Sequence, residues 1–399
     1  MVTKCYNISM GQPFLYGAAT SAHQTEGNNV HNDWWAWEMG RPIEMRSGLA
    51  ADHYDRFRED FRLAKELGHN AHRFSLEWSR IEPKRGRWDK QALGHYRHVL
   101  EELKKLEITP FVTLHHFTNP RWFAERGGWL RSDAAELFTR YVQTAADYLG
   151  DLVPFWITLN EPVLWSSLAY WQRRWPPQQR SLIKFNRSVH HLAVAHNQAY
   201  QVLHRKHAQT QVGLARNLVA YQPASESWLD RVACQTVDWW FNRRFYNMTW
   251  PQHDFLGINY YFQTKIHWET KSFSIVQSDT QGERSDVGWT IAPDGLRQVL
   301  ESVRRYKCPV YVTENGLADR HDKLRADFIR DHLRAVERAQ ESGVDVRGYF
   351  HWSLLDNYEW DLGVTPRFGL VAVDYKTMSR SIRPSAYVYK SIIEQARGG

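Results

Sequence analysis

Two glutamates, each at the end of an apolar run, are the residues of this chain best placed for chemistry. In V-Y-V-T-E-N-G (310–316), four apolar or β-branched residues lead into Glu314 and an Asn-Gly turn signal follows at once. In F-W-I-T-L-N-E-P (155–162), an apolar run leads to Asn160 and Glu161 before Pro162 stops the pairing. Both carboxylates should stand at strand ends beside a tight turn, where catalytic groups are placed. A matched pair can divide its labour, one carboxyl group holding a proton while the other stays ionised. Other site chemistries are weaker. His115 with His116, and His190 with His191 and His196, lack H-E-x-x-H spacing, and no G-x-S-x-G or P-loop sequence is present. The S-L-I-K at 181–184 has none of its partner motifs.

The elements that must position the pair can be read from hydrophobic periodicity. Strand-like runs fall at 14–20, 70–78, 109–116, 155–162, 211–221, 254–262, 309–315 and 346–354. Helical segments fall at 91–106, 133–149, 187–207, 225–246, 293–306, 324–342 and 384–395, and an earlier one carries Tyr54, Phe57, Phe61, Ala64 and Leu67 on one face and ends at Gly68. Alternation of strand and helix implies a parallel sheet, and eight of each imply a closed (β/α)8 barrel forming one domain over residues 1–399. In such barrels the functional groups gather at the C-terminal strand ends. Several runs do end in polar or aromatic residues: Arg73 with Glu77, His115 with His116, Asn160 with Glu161, Asn259 with Tyr261, Glu314, and Trp352. Four long segments after strands, 26–50, 163–186, 263–290 and 355–383, read as pocket walls on that face.

Composition excludes several classes. A hydrophobic content of 43% and a charged content of 24% are ordinary for a soluble globular protein. No apolar run approaches the ~18 residues of a membrane helix, and the N-terminus lacks the apolar core of a secretory signal, so a cytoplasmic location is expected. The net charge of +7 is dispersed among 44 acidic residues, which argues against nucleic-acid binding. Cys5, Cys234 and Cys308 are far apart and odd in number, and they read as buried thiols rather than a disulfide framework or a zinc site. The 19 Trp residues could serve as platforms for sugar rings or as core packing.

The chain resembles glycoside hydrolase family 1, the retaining β-glucosidases and β-glycosidases, along nearly its whole length. Seven stretches in order carry the resemblance: F-L-Y-G-A-A-T-S-A-H-Q-T-E-G, N-A-H-R-F-S-L-E-W-S-R-I-E-P, T-L-N-E-P, D-F-L-G-I-N-Y-Y, V-T-E-N-G, W-S-L-L-D-N-Y-E-W and R-F-G-L-V-A-V-D-Y. The resemblance implies that Glu161 is the general acid/base and Glu314 the nucleophile, with carboxyl groups about 5 to 5.5 Å apart. It places Arg73 and Tyr261 beside Glu314, where both favour its ionised form, and leaves Glu161 facing that charge and holding its proton longer.

By the same resemblance Gln24, His116, Asn160, Glu359 and Trp360 bind sugar hydroxyls, Asn160 at the 2-OH, and Trp352 lies beneath the ring. Phe368 lines the pocket or packs in the core. Phospho-glycosidases of the family carry serine at position 359, and here Glu359 is expected to repel a 6-phosphate by its charge. No metal or cofactor is implied, and the expected partners are small β-glycosides or short oligosaccharides. The sequence carries no signal for an oligomeric state.

Departures from the family pattern concern the rim. Only N-M-T-W-P-Q-H separates the helix ending near Tyr246 from the sixth strand, and Val364 stands where an aromatic residue is common, so a more open rim is expected. The D-W-W-A-W-E run at 33–38 reads as an aromatic wall or a packed loop. The implied activity is exo-acting hydrolysis of β-D-glucosides. Transglycosylation, a β-galactosidase, β-fucosidase or β-mannosidase preference, and a catalytically silent carbohydrate-binding barrel are the competing readings.

Overall fold

The computed structural model describes residues 13–272, 274–278 and 280–398. Eight parallel strands close on themselves: β1 (Leu15–Ala19), β2 (Ala71–Ser75), β3 (Thr109–His115), β4 (Phe155–Asn160), β5 (Gln211–Asn217), β6 (Phe255–Asn259), β7 (Val310–Asn315) and β8 (Val346–Trp352). Each pairs with its sequence neighbours, and β8 closes the ring on β1 with Ala19 opposite Trp352. β2, β4, β6 and β7 are buried at every position, as parallel strands covered on both faces must be.

The helices that follow the strands are α1 (His53–Glu66), α2 (Lys90–Lys105), α3 (Ala134–Leu149), α4 (Leu182–Lys206), α5 (Trp228–Asp238), α6 (Pro293–Val303), α7 (Arg325–Glu341) and α8 (Pro384–Gly398). α1 turns Phe57, Phe61 and Ala64 inward and stops at Gly68, whose φ of 78° suits a residue without a Cβ. Asp89 caps α2 by accepting from the backbone N–H groups of Gln91 and Ala92.

The core has two layers. Phe111, Phe155, Phe255, Tyr311 and Phe350 fill the barrel interior, Phe111 stacking on Phe155 with ring centres 4.2 Å apart. A larger apolar layer lies between the strands and the helices. The aromatic plug closes the barrel, so the space above it at the strands' C-terminal ends is left for chemistry.

Several boundaries differ from those read in the sequence. The run expected as one strand over 211–221 is two: β5 ends at Asn217, and Ala220–Pro223 joins Gln263–Glu269 and Ser274–Ser278 in a separate small sheet. Leu218 N–H donates to the Asn259 carbonyl, which ends β5 beside β6 before the chain turns away. The helix expected over 225–246 is broken by a π turn, Trp239–Arg243, and resumes as Arg244–Thr249. α4 starts earlier than expected because Ser181 of S-L-I-K accepts from Lys184 N–H, which makes that short pattern a helix cap. All four long segments contain ordered elements, among them the helices Asp33–Glu38 and Pro162–Tyr170, the hairpin of Gln263–Glu269 with Ser274–Ser278, and the pairing of Val371–Val373 with Arg380–Ile382. Cys234 and Cys308 are buried, the Cys308 thiol donating to the His253 carbonyl, and Cys5 lies outside the described residues. Among the described residues no helix is long and apolar enough to cross a membrane.

Candidate active site

The two glutamates stand at one mouth because β4 and β7 end there. Glu161 directly follows β4, and its φ of 45° and ψ of 50° turn the chain into the helix Pro162–Tyr170. A non-glycine residue in the left-handed region is strained and persists where its surroundings dictate it. Glu314 lies inside β7, opposite Asn259 of β6, and its carbonyl accepts from Tyr260 N–H at 2.9 Å. The glycine of V-T-E-N-G has a steric reason: a Cβ on Gly316 would lie 1.7 Å from the carbonyl oxygen of Trp352.

Glu314 is gripped on both oxygens. Arg73, fully buried on β2, donates from Nη1 to Oε1, and Tyr261 donates its hydroxyl to Oε2 at 2.6 Å. The same guanidinium donates to Thr113 Oγ1 at 3.1 Å, to the Thr313 carbonyl at 3.1 Å and to Asn160 Oδ1 at 2.7 Å. Arg73 is thereby fixed to β3, β4 and β7 at once.

Glu161 has the opposite environment. Asn259 Nδ2 donates to its Oε1 at 2.7 Å, and Asn259 is itself oriented by Thr313 Oγ1 at 2.7 Å. Burial, and next the negative charge of Glu314, push its carboxyl group up to about 8 against the opposing pull of Asn259, Arg73 and Asn217. At neutral pH Glu161 therefore holds its proton, while Glu314 is paired with Arg73.

Across the mouth, the loops after β1 and β8 bring Gln24, Trp352 and Glu359 together. Trp352 Nε1 donates to Glu359 Oε1 at 3.0 Å and Gln24 Nε2 lies 3.4 Å from Glu359 Oε2. Burial pushes the Glu359 carboxyl group up to about 8, the Trp352 hydrogen bond opposing it. The charge expected to repel a phosphate is thus largely absent at neutral pH, because desolvation outweighs the hydrogen bonds at this carboxyl group.

His116 is driven well below its usual range by burial, then by the charge of Arg73. Its neutral Nε2 accepts from Asn160 Nδ2 at 3.2 Å, so Nδ1 carries the hydrogen and has no protein partner. The imidazole stacks 6.1 Å from both Trp352 and Trp360.

Ten of the eleven residues singled out in the sequence line one cavity of about 380 Å³: Gln24, His116, Asn160, Glu161, Tyr261, Glu314, Trp352, Glu359, Trp360 and Phe368. Arg73 lies beneath and reaches it through Glu314 and Asn160. Phe368 is both lining and core, 2% exposed within the inner apolar cluster. Asp33–Glu38 supplies no lining residue: Trp34 packs behind Trp360 at 4.7 Å and supports it. The whole 26–50 segment is likewise absent from the lining, whereas the other three long segments all contribute. Val364 packs against the main core rather than the cavity.

Three residues of the site had no role in the sequence reading. Asn217 and Asn259 orient the Glu161 carboxyl group, and Trp289 packs 5.3 Å from Tyr261 and 6.1 Å from Phe368. Asn259 was read at a strand end, whereas Asn217 fell inside the run read over 211–221. Nothing in the sequence pointed to Trp289, which reaches the site by the fold of a long segment. Among the described residues no group of three or more His, Cys, Asp or Glu is placed to hold a metal ion.

The comparisons with known proteins agree with one another. The model of "Glycosyl hydrolase family 1" matches residues 6–252 and 247–397. β-Glucosidase A of Thermotoga maritima is 31% identical over 433 residues, covering 96% of this chain and 97% of that one. β-Glucosidase 47 of Arabidopsis thaliana is 33% identical, covering 96% of this chain and 85% of that one. Among solved structures, a β-glycosidase from Pyrococcus horikoshii superimposes with a TM-score of 0.92 at 39% identity, covering 97% of this chain and 95% of that one. The T. maritima β-glucosidase in complex with glucoimidazole gives 0.91 at 30% identity, covering 97% and 99%. With the family model matched over almost its full length and relatives above 30% identity covered end to end, the chain belongs to glycosyl hydrolase family 1 and is a β-glycosidase, an O-glycosyl hydrolase.

Proposed function

We propose that this enzyme removes terminal non-reducing β-D-glucosyl residues with retention of configuration, Glu161 acting as acid/base and Glu314 as nucleophile. The observation that carries this reading is the unequal treatment of the two carboxyl groups: Arg73 and Tyr261 grip Glu314, while burial keeps the proton on Glu161. In the first step a Glu314 oxygen bonds to the anomeric carbon as the glycosidic bond breaks, and Glu161 passes its proton to the departing oxygen. Esterification of Glu314 removes the charge that helped hold the proton on Glu161, so the Glu161 carboxylate left behind can take a proton from water. The water oxygen then bonds to the anomeric carbon and Glu314 leaves as carboxylate, so that two inversions give net retention. All protons in this scheme are carried by Glu161, substrate and water.

Sugar recognition follows from the opposite wall. His116 Nδ1 is left without a protein partner, Gln24 and Glu359 add further donor and acceptor capacity, Trp352 gives an apolar face, and Asn160 is held by Arg73 where a 2-OH would lie. The lining contains no lysine, and a 6-phosphate would meet Glu359 rather than a cation. The names of the relatives support glucosides. The test is kcat/KM across aryl β-D-glucoside, galactoside, fucoside and mannoside, with cellobiose, and proton NMR of the first-formed sugar. β-Glucose appearing first with the glucoside preferred is the expected result; α-glucose appearing first would sink the double displacement.

A further inference from the structure

Arg216 is a buried cation in the cavity wall that the mechanism does not use. It precedes Asn217 at the end of β5, is 1% exposed, and lines the same cavity as Glu161. Its Nη2 donates to the carbonyls of Phe241, in the π turn, and of Asn242 at 3.5 Å. Its Nε and Nη1 are buried without a partner, and among the described residues it forms no ion pair. Asp238 is engaged by Asn242 at 2.8 Å and by Arg243, and the carboxyl group whose charge bears on Arg216 is Glu161.

Such a group is costly unless something answers it, since an unpaired buried charge and unmade hydrogen bonds both destabilise the fold. Faces of Phe245 and Tyr246, 5.1 and 5.5 Å away, answer part of the charge but accept neither free N–H in line. Burial lowers its pKa to about 10, which leaves it a cation at neutral pH.

Location says which part of a substrate would meet it. The groups placed around the sugar come from the loops after β1 and β8, whereas Arg216 belongs to β5, on the far side of Glu161. That is the side toward which Glu161 would deliver its proton, the leaving-group side. The lining there is aromatic, with Tyr221, Phe241 and Phe262.

We propose that Arg216 is an anion-recognising residue for the leaving group, so that the enzyme prefers β-glycosides of aromatic alcohols bearing an acidic substituent such as a carboxylate. Nη2 is held by the Phe241 and Asn242 carbonyls, and Nε and Nη1 lie on opposite sides of the guanidinium, so either can give a substrate carboxylate one charge-assisted N–H bond. The inference rests on the glycosidase reading given above.

The test compares kcat/KM for 4-carboxyphenyl β-D-glucoside with that for its carboxamide, in wild type and in Arg216→Met at low ionic strength. Comparing the acid-to-amide ratio between the two proteins cancels the intrinsic difference in leaving-group reactivity. A ratio about tenfold higher in wild type is expected; equal ratios in folded proteins overturn the proposal. A wild-type measurement guards against a variant that does not fold: 4-hydroxybenzoate should bind about tenfold more tightly than 4-hydroxybenzamide by calorimetry, and equal affinities overturn the proposal as well. Absence of turnover with both glucosides would instead refute the glycosidase reading, and the calorimetric comparison would still decide the anion site.

Discussion

Tyr261 places its hydroxyl 2.6 Å from Glu314 Oε2, on the oxygen that Arg73 does not hold. Burial, followed by the charge of Glu314, raises the phenol well above its usual range, so it stays a donor throughout the working pH range. Removing it frees one carboxylate oxygen to rotate. Tyr261→Phe should lower kcat on an aryl β-glucoside by about ten- to thousandfold, with a smaller change in KM. A kcat within twofold of wild type would show that Tyr261 does not orient the attacking group.

The two glutamates should respond differently to truncation. Glu314→Ala should lose about 10⁴-fold or more of kcat on any substrate, because no covalent intermediate can form. Glu161→Ala should retain the first step on a 2,4-dinitrophenyl glucoside, whose leaving group needs no proton, and should be accelerated by azide, which attacks the ester without a base. The product to look for is β-glucosyl azide. Its absence, with the variant folded, would remove Glu161 from the acid/base role.

A proton held to about pH 8 on Glu161 sets the basic limb of the activity profile. The kcat/KM should fall as pH rises through about 8, and a basic limb near 5 would contradict the observed burial. The same group also bears on stability. Its carboxyl pKa is 4.5 as an ordinary value and about 8 in the fold, so the native state keeps a proton that the unfolded chain releases. Stability from this group is complete below pH about 4.5 and is lost as pH rises through about 8; Glu359 adds to the same trend, with a value of about 8. Glu161→Gln should therefore be inactive yet more thermostable at pH 8, by about 2 °C or more in Tm, with the gain vanishing near pH 4.

Gly316 separates two site strands by the width of a hydrogen atom. A Cβ there would lie 1.7 Å from the Trp352 carbonyl oxygen and 3.1 Å from its Cβ, so the ends of β7 and β8 must part. Gly316→Ala should cost about 1–3 kcal/mol in denaturant unfolding and lower kcat/KM by displacing both Glu314 and Trp352. Wild-type stability in the variant would mean that the two strand ends move apart freely.

The barrel was legible because its strands are covered on both faces and therefore read as short apolar runs, such as V-Y-V-T and F-W-I-T-L. Most strand ends were overrun, by one to four residues; where the run stays apolar, as in L-V-A-Y after β5, the chain leaves the sheet at Asn217 through a tertiary hydrogen bond from Leu218 to Asn259. The break of the 225–246 helix at Trp239–Arg243 follows from the same kind of competition, since the Arg216 guanidinium takes a carbonyl of that turn. The family resemblance implied a proton held longer on Glu161, whereas the raised pKa of Glu359, which was expected to carry charge, follows from burial.

What the sequence determined by itself is the set of parts: eight strand–helix units, two glutamates at the ends of the fourth and seventh strands, and an Arg, a Tyr and several other polar or aromatic side chains at other strand ends. These are local patterns of period and residue type, and they survive without knowledge of what lies across the barrel. Only the tertiary structure decided that Arg73 and Tyr261 grip opposite oxygens of Glu314, that Glu161 and Glu359 hold protons near neutral pH, that Trp34 supports Trp360 from behind, and that Arg216 is left without a counter-ion. Each of those depends on distance and desolvation between residues far apart in the chain, and burial is a property of the closed barrel rather than of any segment within it.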